Sequence, residues 1–125
     1  MAYIQSYKEL IVWQKSIRLV KEIFILTNKF PKAELYGIVA QMRRAAVSIP
    51  SNIAEGYGRR STKSYAQFYA IAYGSALELE TQSIIAKELN MAPKENFIAS
   101  DNLLVEVSKM LNSMITKMRQ LNADG

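Results

Sequence analysis

Leu35-Tyr36-Gly37-Ile38-Val39-Ala40-Gln41-Met42-Arg43-Arg44-Ala45-Ala46-Val47-Ser48-Ile49-Pro50-Ser51-Asn52-Ile53-Ala54-Glu55-Gly56 is the stretch that decides the fold. Within it Leu35, Ile38, Met42, Ala45, Ile49 and Ile53 recur at steps of three and four, which lines one face of an α-helix. Pro50 falls inside the pattern, where a proline removes one backbone hydrogen bond and presses on the preceding turn. The stripe keeps its phase from Ile49 to Ile53, so the reading is one kinked helix from about Ala33 to Glu55. Gly56 follows as a terminal residue of open backbone geometry.

The same period extends to both sides. A helix from about Lys8 to Asn28 carries the stripe Leu10, Trp13, Ile17, Val20 and Phe24. Ser6 with Glu9 forms its capping box, and Phe30-Pro31 ends it. A third helix, from about Thr62 to Leu89 and capped by Ser61 or Thr62, sets Tyr65, Tyr69, Ala72, Ala76, Leu79 and Ala86 on one face. The small residues there admit a close neighbour. Gly74, mid-helix, marks either a tight contact or a tolerated cost. A fourth helix opens at Pro93 and runs to about Leu121, with the heptad-like seam Leu104, Val107, Leu111, Met114, Met118 and Leu121. Four long helices with short connections predict an all-α fold: an antiparallel up-and-down four-helix bundle with a kinked second helix, one domain over residues 1–125. Phe68, Ile71, Ile84, Ile85 and Ile115 are surplus to one small core, which predicts an oligomer.

The 125 residues contain no Cys and no His, which excludes a disulfide framework, a zinc site and a His- or Cys-based catalytic centre. No cofactor and no metal are expected. No apolar run reaches the roughly 20 residues of a membrane helix, and Met1-Ala2-Tyr3-Ile4-Gln5 lacks the pattern of a secretory leader, so the chain reads as cytoplasmic with no membrane partner. The net charge of +5 is uneven. Residues 1–60 hold ten basic and four acidic side chains, a balance of +6, and the remainder holds −1. A basic half attracts anionic partners, though it also serves solubility alone.

Two constellations stand out. Gln41, Ser48, Asn52 and Glu55, with Arg44 among them, form a polar stripe beside the apolar one, and Ser75, Glu78 and Gln82 share a face of the third helix. The structural reading is a hydrogen-bonded network closing the bundle; the functional reading is a ligand groove. Lys15, Arg18, Lys21, Arg43, Arg44, Arg59 and Arg60 form a candidate nucleic-acid surface, with Tyr57 as a base-stacking candidate. Arg59 and Arg60 precede a helix start, where unpaired N–H groups favour a phosphate. Without a groove-reading motif, such binding is phosphate-directed and salt-sensitive. Glu55 and Glu78 make a weak acid–base pair, and Gly56-Tyr57-Gly58 lacks the rest of a phosphate loop.

Four segments resemble a known family. They are Tyr7-Lys8-Glu9-Leu10-Ile11-Val12-Trp13-Gln14-Lys15-Ser16, Phe30-Pro31-Lys32-Ala33-Glu34-Leu35-Tyr36-Gly37, the stretch Gln41 to Ser61 with Arg43-Arg44-Ala45 and Asn52-Ile53-Ala54-Glu55-Gly56, and Ala72-Tyr73-Gly74-Ser75-Ala76-Leu77-Glu78-Leu79-Glu80-Thr81-Gln82. Together they resemble the bacterial four-helix-bundle proteins encoded in 23S ribosomal RNA intervening sequences. The resemblance implies ring-like homopentamers. That family is also similar to the accessory variability protein of diversity-generating retroelements, which implies nucleic acid, RNA or DNA, and a nucleic-acid enzyme as partners. The resemblance names no catalytic residue. The combined expectation is a non-enzymatic, oligomeric bundle that binds nucleic acid or a nucleic-acid enzyme. The alternatives are a structural or protein-interaction module without nucleic-acid affinity, and, less supported, an enzyme using Glu55 and Glu78.

Overall fold

The structure, a computed structural model, describes residues 5–124, with side chains to Leu121. Met1 to Ile4, on which the leader reading rests, lie outside the described residues. Four helices dominate: α1 (Ile11–Thr27), α2 (Ala40–Tyr57), α3 (Thr62–Glu88) and α4 (Ile98–Asp124). No strand occurs among the described residues. Consecutive helices pack on one another, and α1 packs on α4, so the four close into a ring of contacts. Neighbours run antiparallel: Ser48 meets Ser75, Lys15 meets Glu106, and Asp101 meets Lys87. No helix among the described residues is long and apolar enough to cross a membrane.

The ends of the elements differ from the sequence reading in instructive ways. Ser6 does accept from the Lys8 N–H (3.1 Å), and Glu9 reaches back to the Gln5 N–H (2.8 Å). These caps hold a single 3₁₀ turn, Tyr7–Glu9; Leu10 is extended, and the α-helix starts at Ile11. Pro93 likewise precedes a 3₁₀ turn, Lys94–Phe97, and α4 begins after it. Ahead of α2 lie a 3₁₀ turn, Lys32–Glu34, and a wide π turn, Leu35–Val39, in which Gly37 leaves helical dihedrals. The helix runs on through Pro50 to Tyr57, so Gly56 is helical rather than a terminal residue of open geometry. Ser61 caps α3, accepting from the Ser64 N–H at 3.1 Å.

The core joins Leu19 and Ile23 of α1, Met42, Ile49 and Ile53 of α2, Tyr69, Ala72, Ala76 and Leu79 of α3, and Leu104, Val107 and Leu111 of α4. On α1 the buried ladder is Val12, Ser16, Leu19, Ile23 and Leu26, not the expected Trp13, Ile17, Val20 and Phe24, which flank it half-exposed. Ser16 is tolerated in the core because its hydroxyl donates to the Trp13 carbonyl at 2.7 Å. On α4 the seam holds to Leu111 and then passes to Ile115, leaving Leu121 exposed. Leu35 is exposed too, since the wide turn puts it out of phase with Met42. Of the surplus apolar residues, Ile115 is core, while Ile71, Ile84 and Ile85 are exposed.

Candidate functional site

The α2–α3 seam is the most extensive helix contact of the bundle. A Cβ on Gly56 would stand 2.9 Å from the Tyr69 ring and 3.0 Å from the Phe68 Cβ, so only glycine lets α2 approach here. Gly74 meets nothing within 4 Å of an added Cβ and is a tolerated glycine, not a contact point. Tyr69 is fully buried, its ring stacked on Tyr65 at 4.4 Å and its oxygen accepting from the Tyr65 hydroxyl at 2.9 Å. Burial pushes the Tyr69 phenol far above the ordinary tyrosine range, reinforced by the Tyr65 hydrogen bond and by charge on Tyr65 and Tyr57. Tyr57, half-buried, therefore belongs to this tyrosine cluster.

The polar stripe divides into separate groups. Ser48 and Ser75 share a hydrogen bond across the seam at 2.8 Å, and Asn52 donates to the Ser48 carbonyl (2.8 Å) and hydroxyl (3.0 Å). Further along α3, Gln82 donates to Glu78 at 3.1 Å, while the buried Gln82 Oε1 has no partner. Gln41 and Arg44 are exposed at that level of α2. Glu55 leaves the network and faces Arg59 at 3.5 Å on the surface. With Ser48 opposite Ser75, Glu55 and Glu78 lie about 15 Å apart along the helix axes, at 1.5 Å per residue, so the two carboxylates do not converge. Among the described residues no group of acidic side chains is arranged to hold a metal ion.

The basic candidates do not share one face. Lys15 is ion-paired with Glu106 on α4 and holds that carboxyl below the usual range. Arg18 lies on the same side, close enough to add to that effect, while Lys21 is exposed farther along α1. Arg43 is a clamp: its guanidinium lies 4.6 Å over the Phe24 ring and donates to Thr27 Oγ1 and Asn28 Oδ1, both at 3.0 Å, at the end of α1. Arg59 and Arg60 sit at the opposite end of the bundle. Arg59 stacks over Phe68 at 4.3 Å, and Arg60 is exposed.

Two residues absent from the sequence reading join that end. Lys63, in the first turn of α3, and Arg119, late on α4, line a cleft of about 180 Å³ with Ala66, Gln67 and Ala70. Arg119 becomes visible only once α3 and α4 are known to run antiparallel, which brings the start of one beside the end of the other. The resulting end of the molecule carries Arg59, Arg60, Lys63 and Arg119, with Glu55 already facing Arg59.

A ring of four antiparallel helices, with a glycine-dependent approach at the α2–α3 seam, defines a compact up-and-down helical bundle protein. The chain belongs to the 23S rRNA-intervening sequence protein family, whose family model matches residues 8–113. It is similar in fold to a crystal structure described as a protein with unknown function from the S23 ribosomal protein family of Bacteroides thetaiotaomicron VPI-5482. The two share 24% identity with a TM-score of 0.78, over 84% of this chain and 98% of that one. No curated protein matches the chain.

Proposed function

We propose that this chain is a non-enzymatic bundle that self-assembles in the cytoplasm, as a homopentamer by family resemblance, and binds RNA or DNA through phosphate contacts at the end of the bundle holding the α2–α3 turn. The observation that carries the reading is a cleft lined by Lys63 and Arg119 and by no acidic side chain, at the end of the bundle whose α2–α3 turn also holds Arg59 and Arg60. Guanidinium and ammonium groups so placed hold phosphate without reading bases, so several sequences bind comparably. Repetition of the surface in an assembly turns weak contacts into avidity. A nucleic-acid enzyme, brought to the same anionic ligand, is the protein partner the resemblance suggests.

Salt-titrated binding of folded RNA, duplex DNA and single strands tests this. The triple variant Arg60→Ala, Lys63→Ala, Arg119→Ala should weaken all three ligands by a similar factor. It should also flatten the dependence of log affinity on log salt by about one for each phosphate that is no longer neutralised. Oligomer size should not change, since these side chains lie outside the core. Absence of binding at low salt by folded, assembled protein overturns the nucleic-acid reading and leaves a protein-interaction module.

A further inference from the structure

At the end of the bundle remote from the α2–α3 turn, α1 stops, the chain bends at Phe30-Pro31, and the wide turn Leu35–Val39 leads into α2. A cavity of about 340 Å³ lies there, within the size range of small-molecule sites. Its wall is apolar, built from Phe30, Pro31, Leu35 and Val39. Phe30 and Val39 are buried, while the wide turn holds Leu35 out of the core stripe and 45% exposed at the cavity. Wide turns of this kind at helices recur at functional sites.

The polar part of the lining is cationic. Lys32 has no ion pair among the described residues, and no acidic side chain lines the cavity. Arg43 lines it too, and it is only partly committed. Its Nε and Nη2 each give one N–H, to Thr27 Oγ1 and Asn28 Oδ1, with the guanidinium held over Phe24. A guanidinium carries five N–H bonds, so three remain, and one from each Nη forms an outer edge that matches a carboxylate. The bonds to α1 thus fix the plane of the fork and leave that edge unpartnered. The last carbonyls of α1 do not compete for it, since those of Phe24, Leu26 and Thr27 already accept from the N–H groups of Asn28, Lys29 and Phe30. Residues 28–44 hold four basic side chains (Lys29, Lys32, Arg43, Arg44) and one acidic (Glu34), a balance of +3.

We propose that this cavity binds a small monocarboxylic acid with an apolar body. The carboxylate meets Lys32 and the outer edge of Arg43, and the body covers Phe30, Leu35 and Val39. The acid is a small molecule rather than a peptide end, because a peptide would set its amide groups against a wall that offers them no partner. A phosphate, the ligand proposed for the opposite end of the bundle, would leave the apolar wall uncovered.

Isothermal titration calorimetry with octanoate tests this, with amide NMR shifts locating the site. One octanoate should bind per chain and shift the amides of residues 27–43. Octan-1-ol keeps the body without the charge, and inorganic phosphate keeps the charge without the body; each should bind at least about tenfold more weakly. Lys32→Gln should weaken octanoate by about tenfold. Leu35→Glu, which sets a like charge at the cavity, should abolish binding. Both side chains are exposed, so circular dichroism should show an unchanged fold. Lys29→Gln, at the same end but outside the lining, should bind like the unaltered chain. No saturable binding, or shifts centred on another groove, overturns the site. Octan-1-ol or phosphate binding as well as octanoate overturns the assigned ligand class, and so does tighter binding of the dipeptide acetyl-Phe-Leu. Unaltered affinity in both Lys32→Gln and Leu35→Glu, or an equal loss in Lys29→Gln, overturns the placement of the carboxylate.

Discussion

Two glycines of one sequence pattern carry opposite energetics. Gly56 faces the Tyr69 ring with no room for a methyl group, so Gly56→Ala should cost about 1–3 kcal/mol, the range for overpacking. Gly74 is open to solvent inside a long helix, so Gly74→Ala should stabilise by up to about 1 kcal/mol. Urea unfolding of the two variants checks both signs at once. Tyr69 supplies a pH dependence. Its folded phenol holds its proton well above the unfolded value of about 10, so the native state retains a proton that the unfolded chain loses. Stability should therefore be full below about pH 10 and fall as pH rises beyond it. Tyr69→Phe should unfold at a higher alkaline midpoint while losing about 1 kcal/mol at neutral pH with the Tyr65 hydrogen bond. Neither glycine's role was legible in sequence, since what separates them is the presence of a neighbouring ring beside Gly56 and its absence beside Gly74.

At the scale of elements, Arg43 shows how a charged residue can be read correctly as conspicuous and yet serve packing. Its fork joins α2 to the end of α1 through Thr27 and Asn28. Arg43→Ala should lower the urea midpoint by an amount worth about 1–2 kcal/mol with an unchanged slope. Arg43→Lys should recover little, because an ammonium cannot make both bonds and stack on Phe24. Faster amide exchange near Asn28 should accompany both substitutions. The helices themselves were legible from period and punctuation, and the α3 face was read correctly because Tyr69, Ala72, Ala76, Leu79 and Ala86 keep one helical phase through the element. On α1 two apolar ladders share the helix. The longer uninterrupted one, through Trp13 and Phe24, is the outer one, and the true core ladder is broken by Ser16, whose hydroxyl is satisfied within its own helix. A hydrogen bond one turn back leaves no trace in a hydrophobic pattern.

For the molecule as a whole, the bundle was legible because four amphipathic helices with short connections have few other ways to bury their stripes. The candidate surfaces were not, because placing Lys15 against Glu106, or Arg119 beside Lys63, depends on which helices neighbour one another across long stretches of chain. That same ring of contacts has a kinetic meaning. Three of its four helix pairings join consecutive elements and close short loops; only α1 with α4 spans the chain. Loop closure makes the local pairings the early ones and the α1–α4 pairing the last. Ala76→Gly, in the buried middle of α3, should then slow folding in stopped-flow experiments. Met110→Ala, where α4 meets Leu10 and Val12, should leave the folding rate unchanged and quicken unfolding instead. The first and last helices of the chain thus form the seam through which this bundle opens.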